Sequence, residues 1–307
     1  MPYKYFSIPG YIRQFPLVKI LLEYYNQFPE YFIEGHKLDN VYDFPTSLIW
    51  NGGREVQNVI NTSSIEEIMQ WINTTNLQIR HVCTNVLIDE NDIHDEECNS
   101  FLKKYARPHD AVTIFSPILE KYLKENYPQL DIIYSTTLNI TDIEKVNELT
   151  KSNIYVMNYN CNNDNEYIKK LKHPENIEVV CAEPCQSHCQ ERSKHYLQLS
   201  KIYKHLPVDP KDAPQHCKSA GFSGSADECV KQIFSLPHAI TLDRVKELSD
   251  MGIQYFKISG RTNTPEVWFR IVCYYLIKPE YYDLVWNKLY RLYLKQELIE
   301  NMKRKRR

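Results

Sequence analysis

The feature that most constrains the fold of this chain is an alternation of short β-type runs with amphipathic helical runs from about residue 44 onward. Parallel strands need a long crossover between them, usually a helix, so this alternation is typical of βαβ units. We predict an eighth, weaker strand near Ala239–Leu242. The seven clearer predicted strands are Thr46–Trp50, Arg80–Leu87, Ala111–Phe115, Asp131–Tyr134, Ile154–Asn158, Glu178–Cys181 and Tyr255–Ile258.

The helices between these strands begin at capping sequences. Ser63-Ser-Ile-Glu, Thr141-Asp-Ile-Glu and Thr241-Leu-Asp-Arg each offer a hydroxyl cap followed by a carboxylate in the first turn. Seven or eight such repeats favour a closed (β/α)₈ barrel over an open doubly wound sheet, although periodicity alone does not distinguish the two. A chain of 307 residues suits one such barrel.

Three further segments are expected around or within the barrel of residues 44–280. Residues 1–43 form an N-terminal helical extension, with a helix through Val18–Tyr25 that plugs or flanks the barrel. Residues 205–236 form a late insertion that carries Cys217 and Cys229. Residues 281–307 form a C-terminal helix whose basic tail we interpret as a solvated helix end rather than a nucleic-acid site.

Composition limits where and how the chain works. The net charge of −2 provides no overall attraction to nucleic acid or an anionic membrane. Apolar residues make up 43% and charged residues 25%, which is ordinary for a globular protein. The chain shows neither a signal peptide nor the ~18–20 apolar residues of a membrane span. These features predict a cytoplasmic protein without membrane contact.

The cysteines predict a metal site. They number nine, without an export signal, which makes a disulfide framework unfavourable. Cys83 and Cys273 lie in apolar runs and are interpreted as core residues. Cys185 and Cys189 follow a predicted strand and are four positions apart, so a helix beginning there would place both thiols on one face. A helix amino terminus also stabilises the thiolate, which is the ligand form.

Two thiolates do not complete a metal site. Further donors near in sequence are Cys181, Glu183, His188 and His195, and the insertion adds two more thiols. Three or four thiolates suit an iron–sulfur cluster or a structural zinc ion about equally. Thiols without any metal are the remaining alternative. The spacing differs from the C-x3-C-x2-C loop of radical-SAM enzymes.

Polar residues at strand ends form a second candidate site. Trp50-Asn-Gly-Gly-Arg54 ends the first predicted strand and Ser259-Gly-Arg261 ends the last, and these strands are neighbours in a closed barrel. Two arginines there could hold a phosphate or carboxylate, whereas a glycine turn with an arginine salt bridge is the simpler alternative. The predicted substrate-binding residues are Asn51, Arg54, Asn160, Asp164 and Arg261. The candidate catalytic residues are Glu183, Arg54 and Arg261.

Two segments resemble peptidase family U32, a collagenase-like family that includes oxygen-independent hydroxylases of tRNA, rRNA and ubiquinone precursors. Gly252-Ile-Gln-Tyr-Phe-Lys-Ile-Ser-Gly-Arg-Thr is similar to the family's late strand motif LKIEGR, and Glu178–Cys189 stands where the family has a glutamate- and cysteine-bearing motif. The resemblance implies a (β/α)₈ barrel. In cluster-binding members it also implies four cysteines around a four-iron four-sulfur (4Fe-4S) centre. The corresponding ligands here are Cys185, Cys189, Cys217 and Cys229, with Cys181 as an alternative fourth.

The sequence also departs from that pattern. The family's His-Gly strand motif is replaced by Cys181-Ala-Glu, LKIEGR reads Lys-Ile-Ser-Gly-Arg, and no second domain follows. The resemblance implies an iron–sulfur enzyme that carries out a redox or hydroxylation step on a small molecule, peptide or RNA. The alternatives are a non-catalytic, zinc-stabilised binding protein and a U32-like peptidase. The sequence does not indicate an oligomeric state.

Overall fold

The fold is a (β/α)₈ barrel. A computed structural model describes residues 3–53, 63–209, 211 and 224–304. Its parallel strands close in chain order, and the first strand pairs with both the second and the last. The strands are β1 Lys4–Pro9, β2 His36–Asp43, β3 Gln78–Cys83, β4 Ala111–Ile114, β5 Asp131–Tyr134, β6 Ile154–Val156, β7 Ile177–Cys181 and β8 Tyr255–Ile258.

Helices surround the barrel, and several begin where the sequence predicts. Ser64 caps the second helix in a reciprocal capping box with Glu67, and Thr241 accepts a hydrogen bond from the backbone N–H of Arg244. The fifth helix is capped by Asp142 instead of Thr141. The helices are α1 Phe15–Gln27, α2 Ile65–Ile72, α3 Glu96–Tyr105, α4 Pro117–Asn126, α5 Ile143–Leu149, α6 Asn165–Ile168, α7 Arg192–Tyr203, α8 Ala226–Phe234, α9 Leu242–Asp250, α10 Pro265–Leu276 and α11 Tyr282–Arg304.

Six predicted strands are confirmed and two are wrong. Residues 46–50 form turns, and residues 239–241 form an irregular lead into α9. The two missing strands, β1 and β2, lie inside the segment expected to be an extension, so the barrel already begins at Lys4. The predicted helix Val18–Tyr25 lies within α1, which is the crossover between these two strands rather than a plug.

Apolar packing forms two separate layers. The larger cluster lies between the strands and the surrounding helices. The smaller one joins one residue from each of several adjacent strands, Ala111, Ile133, Val156 and Val180, with Tyr159 above them. Side chains alternate along a strand, so these residues face the barrel interior. Polar side chains, among them Ser7, Arg80 and Glu178, also face that interior, below the site described next.

The carboxyl-terminal segment packs on the outside of the barrel. Helix α11 contacts α10 and α1, and α8, from the second half of the predicted insertion, contacts α10. Part of that insertion, including Cys217, lies outside the described residues. None of the helices in the described ranges combines the length and the apolar character that crossing a membrane requires.

Candidate active site at the carboxyl end of the barrel

A pocket opens at the carboxyl ends of the strands, where parallel barrels carry their sites. Strands β2 to β8, or the loops that follow them, all contribute to its wall. The lining residues are Tyr42, Gly53, Val82, Thr84, Thr113, Ser135, Thr136, Thr137, Tyr159, Val180, Glu183, Pro184, Tyr196, Lys257, Ser259, Gly260, Arg261, Thr262 and Asn263.

One buried carboxylate beside this pocket faces two guanidinium groups. Asp43 ends β2 and is held by the backbone N–H groups of Arg13 and Phe44, each at 3.0 Å. Its Oδ1 lies 3.4 Å from Arg13 Nη1 and 3.7 Å from Arg261 Nη1. Burial lowers the pKa of Arg13, and the charge of Arg261 adds to that effect while Asp43 opposes it. The cluster therefore has more positive than negative charge.

Some donors of this cluster make at most an ion-pair contact with Asp43 and no hydrogen bond. Arg13 Nε, Arg13 Nη1 and Arg261 Nη1 are buried and form no hydrogen bond with any residue that the structure describes. Arg261 itself lines the pocket and is only 9% exposed. Buried charged donors are costly when they lack a partner, and an anion such as a carboxylate or phosphate would supply one.

A second cation, Lys257, lines the pocket together with Arg261. Lys257 Nζ is 4.2 Å from the ring centroid of Tyr42, and Arg261 Cζ is 5.8 Å from the same centroid. The Tyr42 hydroxyl donates to the carbonyl of Ile258 at 2.6 Å, which fixes the ring against β8. Burial lowers the pKa of Lys257 to about 8. Sequence reasoning missed this lysine, although it belongs to the quoted Lys-Ile-Ser-Gly-Arg segment.

A buried ion pair lies in the barrel interior. Arg80 Nη1 lies 2.6 Å from Glu178 Oε1, and the hydroxyl of Ser7 donates to the same oxygen at 2.5 Å. Glu178 Oε2 is buried and accepts no hydrogen bond within the described ranges. Sequence reasoning also missed these residues. The signal was available, because a charged residue within an otherwise apolar strand faces either solvent or the interior of a barrel.

Glu183, a predicted catalytic candidate, lies in the pocket wall. Its Oε1 accepts from the Cys185 N–H at 3.0 Å, and its Oε2 accepts from the Ser259 hydroxyl at 3.1 Å. Its backbone carbonyl lies 3.0 Å from His238 Nε2, which makes that nitrogen the donor and leaves Nδ1 to accept from Ser187 at 2.6 Å. Ser187 and His238 are not among the pocket-lining residues.

The glycine turn after β2 lies beside Arg261, although the strand predicted before it is wrong and β2 is not adjacent to β8. A Cβ built on Gly53 would lie 3.8 Å from Arg261 Nη2, and one on Gly52 would lie 2.5 Å from the carbonyl oxygen of Thr84. Only glycine at position 52 permits this close approach of the two backbones. Arg54, the predicted partner of Arg261, lies outside the described residues.

The other predicted substrate-binding residues have structural contacts. Asn51 is fully buried, and its amide donates to the carbonyl of Pro45 and accepts from the N–H of Gly52. Asn160 accepts from the N–H of His188, and Asp164 caps α6 by accepting from the N–H of Tyr167. These three residues are not among those that line the pocket.

The cysteines occupy different layers of the molecule. Cys185 and Cys189 are half-buried in the loop after β7. Helix α7 begins only at Arg192, so the prediction that a helix places both thiols on one face is wrong. Cys181 and Cys229 belong to the layer between strands and helices, where burial raises the pKa of the Cys181 thiol well above its usual value. Cys83 and Cys273 are fully buried core residues, as predicted.

These thiols do not form a metal site by themselves. Among the residues with described positions, no group of three or more histidine, cysteine, aspartate or glutamate side chains is placed to hold a metal ion. The donors that are described therefore do not fit a four-thiolate cluster, and the third predicted ligand, Cys217, lies outside the described ranges. The iron–sulfur and zinc assignments stay predictions.

Comparisons with known proteins agree with the architecture. A search of curated proteins finds no match to this chain. The solved structure of the U32 peptidase Mk0906 is similar in fold, with a TM-score of 0.53 and 12% sequence identity over 85% of this chain and 94% of the other. The sequence model of peptidase family U32 matches residues 39–180, which span β2 to β7. The chain is therefore similar to peptidase family U32 in sequence over residues 39–180, and to one solved U32 peptidase in fold.

Proposed function

We propose that this chain is an enzyme whose barrel mouth binds the anionic group, carboxylate or phosphate, of a small-molecule or peptide substrate. The observation that carries the proposal is the pairing of two buried guanidinium groups, Arg13 and Arg261, with the single carboxylate of Asp43. The sequence allows either an anion or a salt bridge at Arg261; the structure shows a 3.7 Å contact with Asp43 and adds Arg13 and Lys257 to the same region.

The charge balance supports an anionic ligand. Two buried guanidinium groups share the single carboxylate of Asp43, and this incomplete neutralisation costs free energy that an incoming anion would offset. Arg261 lines the pocket while Arg13 lies behind Asp43. Arg261 is therefore the group that contacts the ligand, and Arg13 strengthens the positive potential.

Groups able to move protons lie in the same wall, which favours an enzyme over a simple binding protein. Glu183, Ser259 and Lys257 all line the pocket, and the first two are hydrogen-bonded to each other. A carboxylate, a hydroxyl and an amine with a lowered pKa are the side chains that general acid–base catalysis uses.

Titration with small anions tests the proposal. We expect phosphate or malonate to raise the melting temperature and to give a measurable Kd by calorimetry. Replacing Arg261 by Gln removes a charge-assisted hydrogen bond, which corresponds to roughly 10–100-fold weaker binding. Arg291→Gln, on the exposed side of α11, is the matched control and should bind as the wild type does. Equal affinity of both variants for every anion would overturn the proposal.

The iron–sulfur hydroxylation activity implied by the resemblance is a second candidate. Cys185 favours it, because this half-buried thiol packs against Tyr159 in the pocket wall. A cluster held there would supply electron transfer. The described thiols, however, do not form a group of three or more that could hold a metal. Iron and sulfide analysis after anaerobic reconstitution tests this candidate, and a colourless, iron-free protein contradicts it.

A further inference from the structure

We propose that Lys257 forms a covalent imine with the carbonyl carbon of the substrate, so that the pocket acts on anionic aldehydes or ketones, of which 2-oxo acids are the simplest. The anionic part of this assignment rests on the proposed function. The imine rests on the placement of Lys257 alone, and the experiment below separates the two.

The environment of Lys257 differs from that of a structural lysine. It is half-buried, extends from β8 into the pocket, and within the described part of the chain its ammonium contacts the Tyr42 ring without a hydrogen bond or ion pair. Lys204, by comparison, donates to Asp92 at 2.6 Å and to the carbonyl of Leu87 at 3.1 Å. An amine that takes no part in holding the fold is available to a substrate.

The same environment favours the neutral amine. Only the unprotonated form has the lone pair that attacks a carbonyl, and desolvation beside other cations is a recognised way to populate it. Burial is the largest cause of the lowered pKa, to about 8, and the charges of Arg80 and Arg261 act in the same direction. Glu178 opposes them. The other titratable groups that line the pocket are Tyr42, Tyr159, Glu183 and Tyr196.

The chemistry balances without an oxidant or reductant. The Lys257 nitrogen attacks the carbonyl carbon, a C–N bond forms, and the carbonyl oxygen becomes a hydroxyl. That oxygen then leaves as water, taking up the protons released by the nitrogen, and a C=N bond remains. Glu183 and Ser259, hydrogen-bonded to each other in the same wall, can relay these protons. The imine withdraws electrons from the adjacent carbon, which activates that position.

Arg261 explains why the carbonyl compound should be anionic. Lys257 and Arg261 lie against the same Tyr42 ring, so one small molecule can place a carboxylate at the guanidinium and a carbonyl at the amine. Lys257 lies on β8 and Arg261 in the loop that follows, and both line the pocket. Lys257 and Ser259 share the inward face, while Ile258 between them is buried in the outer layer.

Reductive trapping tests the proposal on the full chain. The protein is incubated with glyoxylate, an anionic aldehyde, or with propanal, a neutral one, in the presence of sodium cyanoborohydride, and modified lysines are located by peptide mass spectrometry. We expect glyoxylate to modify Lys257 at least tenfold faster than exposed lysines, with a rate that rises as pH increases through about 8. Lys257→Arg should lose this rapid modification, while Lys121→Arg, exposed on α4, should keep it.

The outcomes distinguish the two proposals. If wild-type Lys257 reacts faster than Lys121 and Arg261→Gln loses the preference for glyoxylate over propanal, both the imine and the anion site are supported, because the ratio of the two rates cancels any change in the pKa of Lys257. If Lys257 in the wild type reacts no faster than Lys121 with either aldehyde, the imine is wrong, whereas anion binding measured by calorimetry would still support the proposed function. The wild-type comparison decides the imine even where a Lys257 variant does not fold.

Discussion

Arg80 and Glu178 form an ion pair through the centre of the barrel, with Nη1 and Oε1 2.6 Å apart. They stand on β3 and β7, which are four strands apart in an eight-stranded barrel and therefore on opposite walls. Both side chains are almost completely excluded from water, at 2% and 0% exposure. The pair consequently joins opposite walls below the pocket. The negative charge of Glu178 also raises the pKa of Lys257, against the larger effect of burial.

Glu178→Gln should destabilise the protein strongly, because it leaves the buried Arg80 guanidinium with only the part-exposed Asp39, at 3.7 Å, as an acidic partner. Removing one partner of a buried pair costs about 3–5 kcal/mol, and we expect a loss of that order in the free energy of unfolding measured by urea denaturation. Asp39→Asn is the matched control. Asp39 is 30% exposed and lies 3.7 Å from the same guanidinium, so it should cost less than about 1 kcal/mol. Similar small losses for both variants would contradict the pairing.

Two buried histidines should make the protein sensitive to mild acid. Burial lowers the pKa of His36 to about 4 and that of His81 to about 4, against 6.5 for the free side chain. Between pH 6.5 and 4 the unfolded chain therefore binds more protons than the folded protein, and stability decreases as the pH falls through that window. Each histidine can contribute a slope of up to about 1.4 kcal/mol per pH unit.

Variants separate this effect from the titration of carboxylates. The His36 Nδ1–H donates to the carbonyl of Tyr275 at 2.7 Å, so His36→Asn can retain a donor there, and His81→Gln removes the second titrating ring. The double variant should show a flatter dependence of the free energy of unfolding on pH between 6.5 and 4. An unchanged slope would mean that other groups control the acid response.

Ala182→Gly should stabilise the protein slightly or leave it unchanged. Ala182 has φ = 53°, a left-handed conformation that costs a side chain about 1 kcal/mol and glycine nothing. It follows β7 directly and leads into Glu183, so the strained turn is part of the pocket wall. Thermal unfolding should show no loss for Ala182→Gly. A clear loss at position 182 would contradict the assigned backbone conformation.

The cysteine prediction separates two classes of thiol. We expect any metal that the protein binds to depend on Cys185 and Cys189, which are half-buried in the loop at the barrel mouth, and to be unaffected by Cys273→Ala in the core. Cys217→Ala tests the insertion in the same way. Metal stoichiometry after anaerobic reconstitution is the measurement. Full metal content in Cys185→Ala and Cys189→Ala would exclude both thiols as ligands.

Most of the barrel can be predicted from the sequence, and its first quarter cannot. Strands β3 to β8 alternate with helical segments, whereas no helix precedes β1 among the described residues, and β2 is polar or charged at five of its eight positions. These polar positions break the apolar run by which the other strands are recognised. The apolar run Thr46–Trp50 predicts a strand in their place, but these residues form turns. Trp50 is buried within them, and its indole N–H donates to the carbonyl of Asp92.

The site was predictable only where residues are near one another in sequence. Glu183 and Arg261 were found because each follows a strand, and both line the pocket. Arg13 and Asp43 were missed because their contact joins α1's entry loop to the end of β2, 30 residues away, and no local pattern indicates it. Asp164 is predicted to bind substrate, but its carboxylate caps a short helix by accepting a hydrogen bond from the backbone N–H of Tyr167.

The pairing of β1 with β8 has a consequence for how the chain folds during synthesis. Tyr5 stands opposite Tyr255, so the sheet cannot close until nearly the whole barrel has left the ribosome. Until then β1 and the most recently made strand are open edges, which can pair with another chain. Late closure between distant strands also slows folding. A nascent chain halted before residue 255 should therefore be readily digested by protease and dependent on chaperones, and one that extends past β8 should become resistant.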